Sequence, residues 1–147
     1  MLIAGEWCDS EDGATSDVLN PATGEVIATT PKATISDVER CVQASRAALK
    51  SKEWAMMDPA QRGRVLQKMA AATYANAKSL AALESANNGK TFREALSEVR
   101  YGAWTLEYFA GLSEKIEGST IPVPGSRLNY TLKQPLGVTA HIVPWNF

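Results

Sequence analysis

Residues 138–143 (VTAHIV) constrain the fold more than any other stretch. They are few, apolar and β-branched, with Gly137 as a turn signal before them and Pro144 closing them, which predicts a buried strand. Trp145, Asn146 and Phe147 follow, and there the sequence stops. Chain ends are usually polar and loosely held. A buried strand at such a place reads as leading into further structure.

The remaining sequence is ordinary for a globular domain. The 147 residues are one domain long, enough to bury roughly 68–70% of the unfolded surface if they fold alone. A balance of 15 Lys+Arg against 16 Asp+Glu gives a net charge of -1 and no basic field for a phosphate backbone, which argues against nucleic acid. No run approaches the ~20 apolar residues of a membrane span. The amino terminus, MLIAGEWCDS, lacks the basic and long apolar regions of a signal peptide, and a cytoplasmic location is expected. Cys8 and Cys41 are far apart and match no metal or redox spacing, and His141 is the single histidine, so no metal site is expected.

Short strands and turns are predicted first. Residues 2–4 precede Gly5, and Val18 and Leu19 run into the turn NPATG before a returning strand over 26–30, closed by Pro31. Four helices should follow. The first carries a capping box at Ser36 and Glu39, with Val38, Cys41, Val42, Ser45 and Leu49 at helical spacing. The second opens with Asp58, Pro59 and Gln61, and Val65, Leu66, Met69 and Thr73 share one face. The third carries Leu80 and Leu83 and stops near Asn88, with Gly89 as its left-handed terminator. The fourth runs from Thr91 and Glu94 to about Gly118, with a stripe of Ala95, Val99, Ala103, Leu106, Ala110 and Ile116 small enough for a neighbour to pack close. Residues 121–125 read as a loop, residues 128–134 alternate as a half-exposed strand, and residues 135–137 turn the chain into 138–143.

Asn146 is the polar group best placed for chemistry. It follows a strand, where α/β folds put their ligands, and its amide can stabilise an oxyanion without carrying charge. From local sequence alone it reads first as a plain turn residue. Trp145 is either packing or the wall of a cofactor pocket, and Ile142 and Val143 read first as sheet core. Cys41 lies on an apolar stripe, and Cys8 has no nearby base or helix start to activate it. The charges of Arg93, Glu94, Glu98 and Arg100 read as a solvated face. Neither GxGxxG nor a P-loop occurs.

Eight stretches, in order and covering essentially the whole chain, carry a resemblance. GEW, LNPATGEVIAT, WAMMDPAQRGRVLQKMA, ESANNGKTFREA, YFAGLSEKIEG, TIPVPG, LNYTLKQPLGV and IVPWNF resemble the amino-terminal part of the NAD(P)-dependent aldehyde dehydrogenase superfamily. The resemblance implies an α/β fold: the amino-terminal part of a Rossmann-like dinucleotide-binding domain, in which residues 138–143 form the first strand of a parallel sheet. It implies three regions: residues 1–127 as the start of the cofactor-binding domain, 128–138 as a hairpin arm, and 139–147 as first strand and oxyanion loop. The family oxidises an aldehyde to a carboxylic acid with NAD or NADP, through a cysteine thiohemiacetal. By the same match Asn146 holds the oxyanion, and Ile142, Val143, Pro144 and Trp145 line the cofactor cleft. Neither Cys8 nor Cys41 matches the family's nucleophile, nor does any glutamate match its general base, so the chain by itself should be inactive.

The partners implied are a small aldehyde, the remainder of the dehydrogenase chain, and further copies joined through 128–138 into a homo-oligomer. Some members hold a monovalent cation on backbone carbonyls matching Val18 and Leu19 and on an aspartate whose place Asn87 takes, and without that charge no ion is expected. The alternative is a naturally short, non-catalytic binding module that docks on a full-length relative through its hairpin arm.

Overall fold

The computed structural model describes residues 1–146; Phe147, the last residue of the expected strand-and-loop region, lies outside the described residues. The chain opens with a hairpin of β1 (Leu2–Ile3) and β2 (Glu6–Trp7), paired Leu2 to Trp7 and Ile3 to Glu6. Ala4 and Gly5, at φ 54° and 84°, make the two-residue left-handed link that suits the twist of such strands. A second hairpin joins β3 (Thr15–Leu19) to β4 (Val26–Pro31). Its NPATG turn is held by Asn20, whose carbonyl accepts from Gly24 N at 2.7 Å and whose side chain accepts from Ala22 N at 2.9 Å.

The first helix, α1 (Ile35–Lys50), starts earlier than Ser36 and Glu39 suggest, because the capping box is Thr34 with Asp37. Tertiary contacts decide between the two boxes. The Asp37 carboxylate is fully buried and accepts from Thr34 N at 2.9 Å, Ser10 Oγ at 3.2 Å and Glu11 N at 3.3 Å, and it pairs with Arg40. Glu39, facing outward, has no such partners to offer.

Among the described residues the helices number five, not four. The extra one is α2 (Lys52–Ala55), a single turn capped by Ser51, whose hydroxyl accepts from Trp54 N at 3.2 Å. Helix α3 (Pro59–Ala75) begins as its sequence dictates, with Asp58 and Gln61 bonded reciprocally at 2.7 and 3.0 Å. Helix α4 (Ala77–Asn88) ends on Gly89 at φ 87°.

Helix α5 (Phe92–Leu112) stops short of Gly118 and leaves Ile116 exposed. The competing structure is a small ladder of β5 (Thr120–Ile121) with β6 (Asn129–Tyr130), extended by Thr131 N to Ser119 O at 2.9 Å. A Cβ on Gly118 would lie 1.9 Å from Thr131 O, so the chain closes this ladder only where it has no side chain. The strand expected over 128–134 is correspondingly reduced to Asn129–Tyr130.

The core lies where α3 and α4 pack on α5, and it is built of very small residues. Gly63, Ala70, Ala77, Ala81, Ala95, Ala103 and Ala110 are buried. A Cβ on Gly63 would stand 2.9 Å from Ala110 O. Large apolar groups point outward instead, among them Trp7, Met69, Tyr101, Trp104 and Phe109. The accessible surface is 11661 Å² for 15.8 kDa, against about 7,300 Å² for a compact monomer of that mass.

Residues 138–143 form no ladder among the described residues, although their composition predicts a buried strand. Ile142 is 98% and Val143 80% exposed. A strand needs a neighbour to pair with, and the segment belongs to none of the three two-stranded ladders of the described residues.

Candidate functional site

The site is built where the segment over 142–146 meets the carboxyl end of α4. That helix end is well fixed. Ser85 Oγ donates to Lys90 O at 2.7 Å, and the Lys90 ammonium, only 11% exposed, pairs with Glu98 and, at 3.5 Å, with Glu84. These carboxylates, Glu98 foremost, raise the Lys90 pKa above the ordinary lysine value. The terminal turn of α4 is thereby tied to α5.

From this anchored end Asn88 reaches across. Its side-chain Nδ2 donates to the carbonyl oxygen of Trp145 at 3.3 Å, 57 residues along the chain. Trp145 itself sits at φ 53°, a left-handed conformation that bulky residues rarely adopt. Trp145, Asn87 and Asn88 together with Val18, Leu19 and Pro21 line a cleft of about 590 Å³ between the second hairpin and α4.

The expected site residues divide accordingly. Trp145 lines the cleft, and Asn146 follows it with its side chain exposed. Ile142, Val143 and Pro144 stand outside the cleft, exposed and apolar. Like the Trp145 indole, their side chains are non-polar, and none of them carries a cation that could meet a phosphate. Asn87 lines the cleft together with Val18 and Leu19. No group of three His, Cys, Asp or Glu that could hold a metal stands together among the described residues. Cys8 ends the first hairpin and Cys41 lies on α1, and neither lines this cleft. His141 is exposed, with Nε2 3.1 Å from Thr139 Oγ1. No helix of the described residues is long and apolar enough to cross a membrane.

Sequence reasoning placed Asn88 only as the end of a helix. Its reach to Trp145 is a long-range contact with no local signal, and only the folded chain reveals it.

Comparison with known proteins gives this geometry its setting. The model of the aldehyde dehydrogenase family matches residues 7–147. A hydroxyisobutyraldehyde dehydrogenase from Mycolicibacterium austroafricanum is 41% identical over 147 residues, covering 100% of this chain and 29% of the relative. Among solved structures, a mutant aldehyde dehydrogenase from Bacillus cereus superposes with a TM-score of 0.85 at 36% identity, covering 88% of this chain and 27% of that one. A betaine aldehyde dehydrogenase from Staphylococcus aureus, solved with NAD+, gives 0.80 at 34% identity, covering 85% and 25%. The five helices and short antiparallel pairs match the amino-terminal, NAD-binding part of such structures. The chain spans under a third of the length of the curated relatives it matches, and it belongs to the aldehyde dehydrogenase family.

Proposed function

We propose that this chain is the amino-terminal part of an NAD(P)-dependent aldehyde dehydrogenase, with Asn146 as its oxyanion donor and residues 142–145 as one wall of its cofactor cleft. The observation that carries this reading is coverage: relatives match the chain end to end and extend far beyond it. The extent of the surface agrees, since about 4,300 Å² more is exposed in total than a compact monomer of this mass would show, and large apolar side chains are among the exposed groups. The remainder of the dehydrogenase would cover that surface and supply strand neighbours for residues 138–143. Residues 128–138 would serve as the arm of a homo-oligomer, because the short β5–β6 ladder leaves edge groups to be paired elsewhere.

The chemistry assigned to the chain is electrostatic. NAD(P)+, when bound, accepts the hydride removed from the substrate. Attack on an aldehyde by a cysteine supplied by the rest of the enzyme makes a thiohemiacetal and places negative charge on the former carbonyl oxygen. The Asn146 amide donates a hydrogen bond to that oxygen without adding a formal charge beside the nucleophile. Ile142, Val143 and Trp145 present apolar surface to the cofactor and keep water from it.

In the full-length enzyme, Asn146→Ala should lower kcat about 10²–10³-fold, with the protein still folded. An unchanged kcat would remove Asn146 from the reaction. The 147-residue chain, purified by itself, should reduce no NAD(P)+ with any aldehyde.

A further inference from the structure

We infer that Asn88 is a positioning residue for the reaction, setting the direction of Asn146 through the backbone of Trp145. The inference rests on the assignment of Asn146 as oxyanion donor. Its starting point is the bond from Asn88 Nδ2 to Trp145 O at 3.3 Å. The Trp145 carbonyl belongs to the peptide unit that also contains the nitrogen and Cα of Asn146, and that unit is planar. Holding the oxygen therefore holds the plane. Only the torsions of Asn146 itself stay free to aim its amide.

Three features suit Asn88 to this task. It is the last residue of α4, so its backbone is fixed by the helix while its side chain projects beyond it. The turn behind it is anchored by the pairing of Lys90 with Glu98 and Glu84. Trp145 sits at φ 53°, a left-handed conformation rare for a bulky side chain, so its carbonyl direction is set by a backbone turn that a hydrogen bond can help to hold. The amide of Asn88 is the hydrogen-bond donor found on the carbonyl of that residue. An asparagine suits the position because it donates to a carbonyl without bringing charge close to a developing oxyanion.

The test is a set of kinetic variants in the full-length enzyme. Asn88→Asp keeps size and shape but gives a carboxylate that has no proton to donate to a carbonyl. We expect it, and Asn88→Ala, to lower kcat roughly three- to ten-fold, the effect of one lost hydrogen bond on the share of molecules with Asn146 aimed correctly. Asn88→Gln, which still donates, should recover part of the loss. The deciding variant combines Asn88→Asp with Asn146→Ala. If Asn88 acts through Asn146, adding Asn88→Asp to Asn146→Ala changes kcat less than about two-fold. If Asn88 merely supports the fold, the same multiplicative loss appears in both backgrounds, and the inference is wrong. It is wrong as well if Asn88→Asp alone leaves kcat unchanged or prevents folding. The reading of Asn146 fails separately, by an Asn146→Ala enzyme of normal kcat.

Discussion

Replacing Gly63 by alanine should destabilise the chain, although alanine is the better helix former. Gly63 lies inside α3, where the exchange favours the helix by about 1 kcal/mol in the absence of other contacts. The added methyl would stand 2.6 Å from Ser113 Oγ and 2.9 Å from Ala110 O. The hydroxyl can rotate away, at the loss of its 2.9 Å bond to Ala110 O, which contributes about 0.5–1.5 kcal/mol. The carbonyl cannot, so α3 and α5 must separate, and overpacking of this kind costs about 1–3 kcal/mol. The net loss comes to about 2 kcal/mol. With an m-value of about 2 kcal/mol/M, the urea midpoint followed by helical circular dichroism should fall by about 1 M. Gly102→Ala in α5 is the matched control, since its new methyl meets nothing within 4 Å. It should raise the midpoint by about 0.5 M. If Gly63→Ala stabilised the chain as Gly102→Ala does, the close approach of α3 to α5 would not exist in solution.

Acid should loosen the attachment of Ser10 and Glu11, in the link between the two hairpins, to the start of α1. The Asp37 carboxyl is held well below the usual carboxylate range, first by the Thr34 N–H, then by the Arg40 guanidinium. A depressed value means that its stabilisation is complete above the unfolded value of about 3.9 and is lost as the pH falls below it toward the folded value. Urea midpoints measured from about pH 6 down to about pH 2 should show this acid limb, and Asp37→Asn should flatten it; equal limbs would exclude Asp37 as its source. In the isolated chain, amides of residues 138–143 should exchange almost as fast as in an unfolded peptide, because they have no ladder. Slow exchange there would mean that the segment has found a strand partner.

The local chemistry was legible from sequence wherever a few neighbouring residues settle the outcome. The start of α3 at Asp58 and Pro59, the end of α4 at Gly89, and the turn at Asn20 through Gly24 all appear as their residue types dictate. Failures came where distant segments compete. Ser36 and Glu39 make a plausible cap, yet Asp37 wins by gathering donors from Ser10 and Glu11 as well as from Thr34. The stripe through Ile116 predicts a longer α5, but pairing of Ser119 with Thr131 ends the helix sooner. Residues 138–143 have the composition of a strand and lack the neighbour that would make them one. The candidate site was half legible. Trp145 and Asn146 stand out as the polar and aromatic end of an apolar run, whereas Asn88 is a helix terminus until folding brings Trp145 to it.

The alanine-lined core reverses the usual reading of mutational sensitivity. In most domains the large side chains inside are the ones that tolerate no change. Here the buried positions of the helical core are alanines and a glycine, and Tyr101, Trp104, Tyr108 and Phe109 lie half or more exposed outside them. A scan that replaces residues by alanine would therefore leave the core alanines as they are and would register this core only at Gly63. A scan that adds a methylene or more at each site would find the core at once. The same outward aromatic residues would turn sensitive only in an assembly that covers them, so the difference between two scans, one on this chain and one on a longer enzyme, would map the covered surface residue by residue.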